Sequence, residues 1–159
     1  MEIQAGNELG RTPCLDARAM ILADTNVLID ARDKASPYRH WAEELIADAL
    51  SGEGISVNAI VLAEICVGQR EPATVQAGLL AQGFNIVDLP ASAALVSAAA
   101  YTLYRSARRR SRGGDAPRIP LPDFFIGAHA ELMGWKLATR DSERFRLYFP
   151  KVQLIEPSK

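Results

Sequence analysis

The stretch Ile21-Leu22-Ala23-Asp24-Thr25-Asn26 limits the fold more than any other. An apolar run of strand length stops abruptly at an acid, two small polar residues follow, and Val27-Leu28-Ile29 resumes the apolar pattern as the start of a helix. In open α/β sheets ligands gather outside the carboxyl ends of the strands, so Asp24 stands where chemistry is placed. The structural alternative is that Asp24 or Thr25 caps the following helix, since both residue types are good N-caps. Taken alone, the stretch favours the cap.

The rest of the chain repeats the strand–helix alternation. Ser36-Pro37 reads as a helix start, with Trp41, Leu45, Ile46 and Ala49 at helical spacing and Gly52 after the last turn. Gly54 to Val57 is a strand, and Asn58 caps a helix running through Glu64 to Gly68. Pro72 opens a further helix that Gly83 closes. Phe84 to Leu89 is a strand, Ala91 to about Arg112 a long helix, and the Gly/Pro-rich linker to Pro122 a loop. Pro122-Asp123 begins another helix that Gly134 ends, and Trp135–Thr139 and Val152–Ile155 are the last strands. Such alternation predicts a mostly parallel sheet of about four to five strands, covered on both faces.

At 159 residues the sequence suits one compact domain, read here as 20–157, preceded by a polar, aperiodic extension at 1–19. A net charge of −1 argues against a bulk polyanion-binding tail. Cys14 and Cys66 are too few for a disulfide framework, which points to a reducing, cytoplasmic setting. Ala91–Tyr104 is too short and alanine-rich to span a bilayer, and no basic-then-apolar leader pattern stands at residues 1–19.

Four acids share a placement that dull explanations leave unaccounted for. Asp24 and Asp141 both end strands, and Asp123 begins a helix entering from the same side. Glu64 sits inside an apolar helix, six residues past Asn58 and beyond the reach of a capping box. Each has a structural alternative: a helix start for Asp123, a turn or short-helix cap for Asp141, a narrow exposed stripe for Glu64. Carboxylates converging on one cleft repel one another, and a hard divalent cation relieves this. An all-oxygen set suits Mg²⁺ or Mn²⁺ rather than Zn²⁺. The chemistry implied is metal-assisted phosphodiester hydrolysis.

Those residues lie in blocks that resemble the PIN-domain ribonucleases, and within them the VapC toxins of type II toxin–antitoxin pairs. The blocks are Asp24-Thr25-Asn26-Val27-Leu28-Ile29-Asp30, Val61 to Gly68, Pro122-Asp123-Phe124-Phe125-Ile126-Gly127-Ala128-His129-Ala130, and Leu137 to Asp141 followed by Arg144-Phe145. The resemblance implies a three-layer α/β/α fold and an acidic quartet of Asp24, Glu64, Asp123 and Asp141 around Mg²⁺, with Mn²⁺ as substitute. It makes Asp24 and Asp123 the direct ligands, Glu64 and Asp141 ligands directly or through water, and Asn26 and Thr139 supporting residues. It further implies RNA cleavage, inhibition of translation, homodimerisation and a VapB-like antitoxin. A degenerate PIN module that binds RNA or a protein without cutting is the alternative. A phosphatase using Asp24 as nucleophile would want an acid two residues on, where Asn26 stands.

Arg105, Arg108, Arg109 and Arg112 fall on one helix face. They read either as a track for RNA phosphates or as a solvated stripe near a helix C-terminus. Asp30 reads as a plain surface acid, His40 as a surface residue, and His129 as facing the interior or a partner without catalytic role.

Overall fold

The computed structural model describes residues 19–111 and 114–158, so Arg112 and nearly all of the expected extension lie outside the described residues. Its elements are β1 (Ile21–Ala23), α1 (Thr25–Arg32), α2 (Arg39–Ser51), β2 (Ile55–Asn58), α3 (Ala59–Cys66) and α4 (Pro72–Ala81). They continue with β3 (Asn85–Val87), α5 (Ala91–Arg110), α6 (Pro122–Met133), β4 (Lys136–Ala138), α7 (Glu143–Tyr148) and β5 (Leu154–Ile155). The strands form one parallel five-stranded sheet in the order β3-β2-β1-β4-β5, in a three-layer α/β/α arrangement.

This order positions the site. The chain works outward from β1 to β3 on one side, then crosses back to lay β4 and β5 on the other. The reversal falls between β1 and β4, and the crevice beyond their carboxyl ends is where such sheets bind ligands. Ala23 pairs with Ala138, so the next residues, Asp24 and Thr139, emerge side by side. All of β1 and β2 is buried, as a strand with helices on both faces requires.

Local chemistry explains the helix ends. Asn58 Oδ1 accepts from the backbone N–H groups of Ile60 and Val61 at 3.1 and 3.0 Å, the expected cap of α3. Gly134 ends α6 in the left-handed region, φ 66°, where a Cβ would be strained. Inside α6, Gly127 lets the helix approach Phe149, because a Cβ there would lie 2.5 Å from the ring. The N-terminal part of α6 is anchored by Phe124, fully buried, with its ring 5.0 Å from Tyr101, 5.4 Å from Tyr104 and 5.5 Å from Tyr148.

Two boundaries and one burial depart from expectation. The second helix starts at Arg39 rather than straight after Ser36, whose hydroxyl accepts from the Tyr38 backbone N–H at 3.1 Å in the preceding turn while donating to Asp30 Oδ1 at 2.7 Å. Asp141 does not cap α7, whose N-cap position is Ser142. Asp30 is not a surface acid. It is 2 % exposed, and its Oδ1 also accepts from Arg140 Nη1 at 2.7 Å, with the Arg140 guanidinium 5.4 Å from the Tyr38 ring centre.

Candidate functional site

The site grows from the β1–β4 pair. Asp24 is 6 % exposed and caps α1, its Oδ1 accepting from the Thr25 backbone N–H at 2.7 Å. The cap leaves the second oxygen of Asp24 for other partners. Its Oδ2 accepts from Asn26 Nδ2 and from Thr139 Oγ1, both at 2.8 Å. The Thr139 hydroxyl, fully buried, also accepts from Asn26 Nδ2 and from the Asp141 backbone N–H, both at 3.1 Å. Asn26 Oδ1 in turn accepts from the Arg140 backbone N–H at 3.2 Å. The two supporting residues expected from sequence thus tie the end of β1 to the loop after β4.

The remaining acids ring the same opening. A cavity of about 210 Å³ is lined by Asp24, Glu64, Asp123 and Asp141, with Thr25 and Asn26 between them and Ile29 and Phe145 as apolar wall. Glu64 and Asp123 are half-buried and Asp141 is exposed. Electrostatics register the convergence. Burial above all pushes the Asp24 carboxyl up from 3.8 to about 6 against the hydrogen bond from Thr139, the Asp123 charge raises it further against the Thr25 N–H, and Glu64 adds to the rise.

The acids share a cavity without closing on one point. Among the described residues, no three acidic, histidine or cysteine side chains stand close enough to hold one metal ion as they are. Two of the acids are instead engaged by protein partners. Glu64 Oε2 accepts from the Thr25 hydroxyl, and Asp123 Oδ2 accepts from Arg144 Nη1 on α7. Neither Thr25 nor Arg144 was marked as a site residue from the sequence. Thr25 stood there as a possible cap and within a block, and Arg144 only as part of a block. The donor set itself is all oxygen, which fits a hard cation such as Mg²⁺ or Mn²⁺.

Other sequence candidates are placed as follows. Arg105 is half-buried on α5, while Arg108 and Arg109 are exposed, with Arg108 Nη1 donating to Tyr104 Oη at 2.9 Å. His129 is core: 1 % exposed, its ring 5.4 Å from that of Trp135 and its Nδ1 3.3 Å from Asn58 Nδ2. Burial pushes its imidazole below the ordinary 6.5. His40 is on the surface beside Glu44.

A family model, the PIN domain, matches residues 21–150. No relative is found among curated proteins. Among solved structures, VapBC2 from Rickettsia felis bound to a promoter DNA fragment is similar, with a TM-score of 0.58, 19 % identity, and coverage of 87 % of this chain and 99 % of that one. A toxin–antitoxin complex from Klebsiella pneumoniae gives 0.58 and 24 %, covering 87 % and 98 %. FitAcB from Neisseria gonorrhoeae gives 0.55 and 23 %, covering 87 % and 98 %. At these identities the likeness is one of fold.

Proposed function

The chain belongs to the PIN-domain family, and from that premise we propose that it is a Mg²⁺-dependent endoribonuclease, the toxin of a toxin–antitoxin pair acting on translation in the cytoplasm. The observation that carries this reading is the single cavity at the β1–β4 crevice bordered by Asp24, Glu64, Asp123 and Asp141. A buried carboxylate raised to about 6 by its surroundings and by acidic neighbours is costly to a fold with no use for it.

In this reading Asp24 and Asp123 hold the cation directly, and Glu64 and Asp141 do so directly or through water. A bound Mg²⁺ or Mn²⁺ supplies positive charge that acidifies a water and offsets the charge of a phosphate under attack. The chain's own part is orientation. Thr139, Asn26 and the Thr25 N–H occupy three of the roughly four acceptor positions of the Asp24 carboxylate, fixing how it faces the cavity. Asn26 and Thr139 also hold the backbone of Arg140 and Asp141, so the loop carrying the outermost acid moves with β1. Hydrolysis joins the water oxygen to phosphorus as one ester P–O bond breaks, and the leaving oxygen takes up a proton.

The partners follow from the same reading. Solved structures of similar fold include toxin–antitoxin complexes, which supports a small antitoxin as partner. Leu95 and Leu103 of α5 are 76 % and 64 % exposed and border a depression of about 450 Å³ with Val96 and Tyr148. An apolar face of that kind supports homodimerisation. Among the described residues, no helix is long and apolar enough to cross a membrane.

The deciding experiment is cleavage of end-labelled total RNA by purified protein with Mg²⁺ or with chelator, with Asp24→Asn in parallel. Discrete products that need both the metal and Asp24 are expected. Identical patterns from wild type and variant, with both folded, would refute the nuclease and leave a binding module.

A further inference from the structure

Among the described residues, Arg144 is the guanidinium seen bonded to an acid of the cavity, and the structure gives it a platform. It belongs to α7, next to Phe145, whose ring walls the cavity. Its Nη1 donates to Asp123 Oδ2. Its Cζ lies 5.9 Å from the centre of the Tyr104 ring, which packs 5.4 Å from Phe124 and 5.6 Å from Tyr148 and whose hydroxyl accepts from Arg108. The ring is fixed by its neighbours. The head group, by contrast, has room to move, because the Arg144 and Asp123 side chains are 35 % and 30 % exposed.

A half-buried ion pair that solvent still reaches on both sides is held modestly and can exchange partners. A divalent cation held by Asp123 would compete with Arg144 for the same carboxylate. The RNA phosphate that then enters carries negative charge to the same place, and a planar guanidinium matches phosphate oxygens in paired hydrogen bonds. We propose that Arg144 is a two-position cation: it neutralises Asp123 before the metal binds and, once displaced, binds a non-bridging oxygen of the RNA phosphate from its seat on Tyr104. This rests on the ribonuclease reading above, and its two halves have opposite signs.

The test compares wild type, Arg144→Gln and Arg144→Lys, with circular dichroism and melting temperature as checks of fold. Titration calorimetry with MnCl₂, in the absence of RNA, should show Arg144→Gln binding the ion roughly fivefold more tightly. Cleavage of end-labelled RNA at saturating Mn²⁺ should be roughly a hundredfold slower in Arg144→Gln and only partly restored in Arg144→Lys, which keeps the charge and loses the paired hydrogen bonds. A merely structural arginine would weaken ion binding and cleavage together, and would not be rescued by lysine in cleavage alone. Unchanged or weaker ion binding in Arg144→Gln overturns the displacement half. Unimpaired cleavage at saturating ion overturns the phosphate half. A wild type that binds Mn²⁺ but cuts no RNA brings down the ribonuclease reading and the phosphate half with it, while the calorimetric comparison still decides displacement.

Discussion

The cavity has two kinds of wall. Along the β1–β4 seam, Asp24, Asn26 and Thr139 hold each other with hydrogen bonds of 2.8–3.1 Å, and the backbone joins in, Asp24 N–H donating to the Ala138 carbonyl at 2.9 Å. On the opposite rim, Glu64 and Asp123 each lean on one side-chain partner, Thr25 or Arg144, and Asp141 is exposed. Seam groups are fixed by strand pairing and cannot change partners without loosening the sheet. Rim groups can exchange a protein partner for a ligand at little cost. The difference lets one pocket hold a buried acid in place while its other carboxylates keep partners they can exchange.

Substitutions can break or sharpen that division. The largest effect belongs to the seam: Asp24→Asn should slow metal-dependent RNA cleavage by about a thousandfold or more, an effect of the size seen when one preorganised electrostatic group is lost. Quantitative cleavage assays at saturating Mg²⁺ check it, and activity within tenfold of wild type would place the chemistry on the rim.

The pH dependence comes next. The folded Asp24 carboxyl titrates near 6 rather than 3.8, so the folded state holds this proton more tightly than the unfolded chain does. Stability from the protonated form is fully present below about 4 and is lost as the pH rises through about 6, amounting to about 3 kcal/mol by linkage. A divalent cation needs the ionised form, so the gain in melting temperature on adding Mg²⁺ should grow across that window and level off above it. Thermal melts at pH 4.5 to 7.5, with and without Mg²⁺, decide the matter. A gain that does not vary with pH would mean the ion binds without Asp24.

Thr139→Val removes a buried hydroxyl that donates once and accepts twice, and should cost about 1–3 kcal/mol in urea unfolding of the metal-free protein. Thr25→Val, its rim counterpart, should cost under about 1 kcal/mol because Glu64 is half-buried and water can replace the hydroxyl. Equal losses for the two threonines would abolish the distinction between seam and rim.

How much could be read beforehand follows the same line. Asp24 was legible because an apolar strand ended on it, and Asn58 as a cap because its helix followed at once. The sheet was legible because short strands with apolar centres alternate with helices whose ends are marked by Asn58, Pro72, Pro122 or Gly134. What escaped depended on partners far along the chain. Asp30 looked like a surface acid because nothing nearby in sequence points to Arg140, 110 residues on. Ser36 reads as a helix cap, but its hydroxyl closes the turn before the helix onto the Tyr38 N–H and ties that turn to Asp30. Arg144 and Thr25 acquire meaning only when Asp123 and Glu64 are brought to them. Local pattern encodes which acids end strands, whereas the charge that meets each acid is a property of tertiary packing.

One consequence of the strand order concerns how the protein fails. The strand leading to Asp24 is the middle one of five, with β2 and β4 paired on its two sides. Fraying begins at edges and termini and reaches central strands last, so local opening of β3 or β5 leaves the acid in place. Loss of the seam therefore coincides with cooperative collapse of the whole sheet. Heat or denaturant should leave a population divided between intact sites and none, with no dwindling series of half-built ones.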